Sequence, residues 1–124
     1  MISLGSPFAG SAHSTNAWQV YEWVSGTRVD EQLPLDSGLL ADLPPVPTTS
    51  VFSRTDALCA WQTCLNEDTD TAENIEVVGS HCGLGHHPAA VFAVADRLAK
   101  PENGWRKFNR SGWKSFVYPD WRRE

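Results

Sequence analysis

No run of this 124-residue chain approaches the ~18 consecutive apolar residues of a membrane-crossing helix. Cysteine is scarce, at three, and an odd count argues against a closed disulfide framework. The opening "MISLGSPFAG" has neither a basic stretch nor a long apolar core, so it does not read as a secretory signal. A reducing, cytoplasmic setting is therefore expected. Cations are scarce too, but only in one part. Residues 1–99 carry three Lys or Arg against twelve Asp or Glu, a balance of −9. Residues 100–124 carry seven against three, a balance of +4, which restores the overall −5.

Also missing is any G-x-S-x-G, the strained strand-to-helix elbow that presents an acyl-transfer serine. "GSHCG" at 79–83 holds histidine at its centre. "GSPFAG" places Pro7 after Ser6, and proline has no backbone N–H to offer an oxyanion. Neither Ser6, Ser80 nor Cys82 is expected to act as a nucleophile. The carboxylate and imidazole of an acid–base pair are present, but the residue they would activate is not.

What is present is the composition of one globular domain, 41% hydrophobic and 20% charged. The first residues read as a short buried strand ended by a Gly-Ser-Pro turn. Residues 16–25, "NAWQVYEWVS", have a helical stripe of Ala17, Val20, Tyr21 and Val24, with Asn16 as cap and Gly26 as stop. A second short helix is expected over 37–43, broken by "PPVP". Residues 48–53 read as a strand, 57–65 as a short helix and 75–79 as the next strand. Pro88 opens a helix with Val91, Val94, Ala95 and Leu98 expected on its buried face, closed by Pro101. Alternation of strand and helix predicts parallel βαβ wiring, an α/β fold.

The tail, 100–124, is basic and aromatic and repeats itself weakly as "GWRKF" and "GWKSF". Two copies make no repeat architecture, and the expectation is an irregular segment whose rings pack on the last helix. Alternating rings and cations also suit nucleic acid or an anionic membrane surface. The acidic body opposes polyanion binding, so no nucleic acid is expected, and without a long apolar run no membrane span is expected.

In a parallel sheet, the loops after the strand carboxyl ends share one edge. "SRTD" puts Asp56 beyond one strand and "GSHCG" puts His81 beyond the next. Strands ~4.8 Å apart bring such groups within hydrogen-bonding reach. An aspartate on one ring nitrogen fixes the tautomer and frees the other as a base. Two rival readings of the "HCGLGHH" loop stay open. Cys59, Cys64, His81, Cys82, His86 and His87 include enough donors for zinc, although Cys59 and Cys64 at i and i+5 diverge on a helix. A polar turn without chemistry is the other, with His86 and His87 serving the helix entry. The expectation is that there is no metal and no cofactor, and that the cysteines are inert.

"ISLGSPFAG", "PVPTTSVFSRTD", "VVGSHCGLGHHPAAVFAVADRLA" and "GWKSFVYPD" together resemble the carboxyl-terminal half of α/β-hydrolase-fold proteins, nearest to bacterial lipase- and esterase-like members. The likeness covers nearly the whole chain, which would be one incomplete unit holding the last three parallel strands and their crossover helices. The resemblance implies that Asp56 and His81 are the acid and base of a catalytic triad. It implies that residues 11–45 are a helical cap, with Trp18, Tyr21 and Trp23 near a small ester or acyl substrate. The family's nucleophile elbow lies in a first half that this chain does not carry. The chain is thus expected to be inactive alone, and to be completed by a complementary half or by self-association through an exposed sheet edge. The alternative expectation is a non-catalytic interaction protein derived from the same fold.

Overall fold

A computed structural model describes residues 1–8, 26, 45–101 and 103–123. Three parallel strands form one sheet in the order β1 (Ile2–Leu4), β2 (Thr48–Phe52), β3 (Ala72–Glu76). Thr49 stands opposite both Ile2 and Glu73, and Val51 opposite both Leu4 and Ile75. This is an α/β protein with a small parallel sheet and few helices. The expected cap over 11–45, including the helix over 37–43, lies outside the described residues except at Gly26 and Pro45. So do Trp18, Tyr21 and Trp23. No helix among the described residues is long and apolar enough to cross a membrane.

Strand β3 begins three residues earlier than the sequence pattern suggests. "TAEN" looks like loop, yet Glu73 and Asn74 lie buried in the strand. Each has its polar atoms answered. Glu73 Oε1 accepts from Thr49 Oγ1 and from the Arg97 guanidinium, both at 2.9 Å. Its Oε2 accepts from the Phe108 backbone N–H at 2.6 Å. The Asn74 amide exchanges hydrogen bonds with the Asn66 backbone at 2.8 and 2.9 Å. Buried polar groups are tolerable when paired in this way, and hydrophobic periodicity cannot foresee the pairing.

Helix α1 (Pro88–Leu98) starts at its proline as expected, with His87 Nδ1 accepting from the Ala89 N–H at 3.3 Å as the cap. Its buried face differs from the expected one. Ala89, Ala90, Ala93 and Arg97 face inward, whereas Val91, Ala95 and Leu98 are exposed. Small alanines let the helix lie close on Val51, Ile75 and Val77, with Leu84, Phe108 and Tyr118 completing the cluster. Larger valines would hold it off. Arg97 reaches Glu73 from the same face.

The expected helix over 57–65 is only a 3₁₀ turn, Trp61–Cys64. Asp56 captures the N–H groups of Leu58 and Cys59, and such local side-chain bonds compete with helix initiation. This segment covers the second face of the sheet, where Phe52, Cys59 and Cys64 cluster with Trp61 and Trp121.

The tail packs Phe108, Tyr118 and Trp121 on the fold but leaves Phe116 exposed, and it also forms a one-turn helix, α2 (Lys114–Val117). Tyr118 is fully buried and its hydroxyl donates to the Ala89 carbonyl at 2.9 Å. Phe108 meets the Tyr118 ring edge-on at 4.7 Å, and Trp113 meets Phe92 at 5.4 Å. The tail's cations turn to the body's acids. Lys107 bonds Asp68 at 2.6 Å, Arg122 contacts the same carboxylate, and Lys114 lies 3.6 Å from Asp96. The uneven charge of the sequence is thus partly consumed inside the molecule.

Candidate functional site

The loops after all three strands converge at one edge of the sheet. The β1 loop turns at Gly5, whose N–H still donates to the Val51 carbonyl at 2.8 Å. The β2 loop carries Asp56, and the β3 loop carries His81 at the head of a 3₁₀ turn, His81–Gly83, capped by Ser80.

The β2 and β3 loops are fastened to each other by two hydroxyls. Thr55 Oγ1 donates to the Gly79 carbonyl at 3.0 Å. The Gly79 N–H lies 3.1 Å from both Thr55 Oγ1 and Ser53 Oγ. Sequence reasoning did not single out Ser53 and Thr55. The signal was the S-x-T just past a strand end, a pattern that favours a local hydroxyl turn, seen here in the 3.1 Å bond from the Thr55 N–H to Ser53 Oγ.

With the loops so fixed, Asp56 Oδ2 lies 2.7 Å from His81 Nδ1. The aspartate side chain is 2% exposed and the imidazole 30%. Asp56 Oδ1 accepts from the N–H groups of Leu58 and Cys59 at 2.8 and 3.0 Å. Burial pushes the Asp56 carboxyl up, but the Cys59 N–H, the His81 imidazole and the Leu58 N–H together outweigh it and hold it below the ordinary aspartate value. An ionised carboxylate can only accept, so Nδ1 is the donor, and in the neutral ring Nε2 is then the nitrogen with the lone pair. Among the described residues, no hydrogen bond to Nε2 is formed.

Gly5 is the third wall of this pair. A Cβ there would come within 3.3 Å of His81 Nδ1, 3.4 Å of Asp56 Oδ2 and 2.8 Å of Leu84 Cδ1. Its φ of +57° is also one that glycine alone takes without strain. The sequence showed the Gly-Ser-Pro turn but not its closeness to the pair.

The other donors of the His-rich loop separate. His87 caps α1, while His86 and Cys82 are exposed. Cys59 and Cys64 are buried, free thiols in one apolar cluster. Burial pushes both thiols up, Cys64 to about 11. One three-donor group occurs among the described residues: Asp56, Cys59 and His81 each place a donor atom within 4.8 Å of the others.

Comparison with protein-family models, with curated proteins and with solved structures finds no match.

Proposed function

We propose that this chain supplies the acid and the histidine of a serine-type ester hydrolase, as the carboxyl-terminal portion of an α/β-hydrolase-type unit. The observation that carries the reading is the 2.7 Å contact between a buried Asp56 and a part-exposed His81 at the carboxyl edge of parallel strands. In the completed site, Nε2 takes the serine proton as the oxygen attacks the acyl carbon, then returns it to the leaving alcohol. Asp56 orients the ring and stabilises its charged form. A water repeats the cycle to release the acid.

The nucleophile is proposed to arrive on a strand that adds to the edge of β1 opposite β2, which pairs with no other strand among the described residues. The Gly5 N–H bonds Val51 and the Met1 carbonyl bonds Thr49, so by strand alternation Ile2 and Leu4 direct their backbone groups away from β2. Such an edge favours strand addition, and it borders Gly5, beside the acid–base pair. The substrate class is a small ester or related acyl compound, with Trp18, Tyr21 and Trp23 as proposed cap residues.

The test is hydrolysis of a nitrophenyl ester by this chain fused behind a nucleophile-bearing half of such a unit. Turnover that falls by about 10³-fold or more in His81→Ala is the expected result. Turnover indifferent to His81 would remove the assignment. A non-catalytic interaction role is the second reading, favoured by the exposed apolar strip of Val91 and Leu98 on α1, at 50% and 73%. It predicts no labelling by a fluorophosphonate in any completed form.

A further inference from the structure

The three-donor group at Asp56, Cys59 and His81 has a chemistry that the acid–base reading does not use. Its donors are a carboxylate, a sulfur and an imidazole nitrogen, the mixture that suits a thiophilic divalent ion rather than calcium or magnesium. Its framework is already built. Asp56 Oδ1 is anchored by the Leu58 and Cys59 N–H groups, so the same short turn that fixes the carboxylate also fixes the backbone of the cysteine. Cys59 and Asp56 are therefore held as one unit, while His81 enters from the next loop.

As it stands, the pair is hydrogen-bonded and not chelating. Ligands ~2.0–2.1 Å from a tetrahedral zinc ion lie about 3.3 Å apart, and Nδ1 and Oδ2 are 2.7 Å apart. The carboxylate cannot yield, since its other oxygen is tied to the backbone. The imidazole can, since it is 30% exposed and meets Asp56 through one hydrogen bond.

We propose that Asp56, Cys59 and His81 form a binding site for a thiophilic divalent cation such as zinc, in a state that excludes the Asp56–His81 hydrogen bond. Binding sends the Cys59 thiol proton to solvent, and the Nδ1 proton of His81 passes to Nε2, so that Nδ1 coordinates through its lone pair. The ion and the hydrogen-bonded pair are then alternative occupants of one pocket, so the cation is an inhibitor of any reaction that uses His81 as a base. The inference rests on the placement of the three donors and stands whether or not the hydrolase reading does.

Cobalt(II), a spectroscopic substitute for zinc, tests it on the full chain with reduced thiols. The expected result is one equivalent bound, with a thiolate-to-cobalt charge-transfer band that zinc abolishes. Cys59→Ala and His81→Gln should each lose the band, and Cys64→Ala, Cys82→Ala and His87→Ala should keep it. His81→Gln alters a part-exposed side chain and serves if Cys59→Ala fails to fold. No band in the unaltered chain, or a band that survives the loss of Cys59 or of His81, overturns the proposal.

Discussion

Single side chains decide most of what this site can do. Asp56 works in two directions, holding its own loop through Oδ1 and the imidazole through Oδ2. Its position and that of His81 were legible because each lies a few residues past a β-branched run, "TTSV" and "IEVV". The partnership of Gly5 was not, because no local pattern reports which distant loop a glycine will touch. Gly5→Ala should be costly for two separable reasons, the left-handed backbone and the 2.8 Å approach to Leu84. A loss of about 1–3 kcal/mol is expected, read as a lower urea midpoint. Gly112 also has positive φ, but a Cβ there meets nothing within 4 Å, so Gly112→Ala should cost less and serves as the control.

At the scale of elements, binary pattern gave β2 and the start of α1 but misjudged β3 and the buried face of α1. Both misreadings share one cause. Glu73 on β3 and Arg97 on α1 look like surface residues, yet they meet at 2.9 Å in the interior. A pattern that scores charge as exposure assigns Glu73 to a loop and turns the helix away from Arg97. Their ion pair also anchors the tail, because Glu73 accepts from the Phe108 N–H and Arg97 donates to the Arg106 carbonyl. Glu73→Ala leaves Arg97 without its β3 partner and the Phe108 N–H unanswered. A loss of about 3 kcal/mol is expected, measured by urea denaturation, together with faster hydrogen exchange at Phe108. A tail that keeps its protection in this variant would show that ring packing alone holds it.

For the whole molecule, the governing feature is a basic tail folded back on an acidic body. Composition showed the asymmetry; only the fold shows that Asp68 and Asp96 receive Lys107, Arg122 and Lys114. Burial raises the carboxyls of Asp68 and Asp96, and the cations beside them more than reverse it, leaving both below the ordinary value, as at Asp56. A depressed carboxyl gives stability that is present above its unfolded pKa and lost as pH falls through its folded one. Urea midpoints should therefore decline as pH drops below about 4. Glu76 has the opposite sign, since burial raises it despite Arg54 and Arg110. Its ionisation opposes folding at neutral pH, so Glu76→Gln should match or exceed the parent there. A stability curve flat down to pH 3, or a strongly weakened Glu76→Gln, would contradict this assignment of charges.

All of the functional reading depends on Asp56 gripping Nδ1 of His81 and leaving Nε2 as a free base. Nitrogen-15 correlation spectra of the His81 ring at neutral pH test this directly. The account predicts a proton on Nδ1, shifted downfield by its short bond to the carboxylate, an unprotonated Nε2, and loss of the downfield signal in Asp56→Asn. A ring protonated on Nε2, or spectra unchanged by Asp56→Asn, would contradict it.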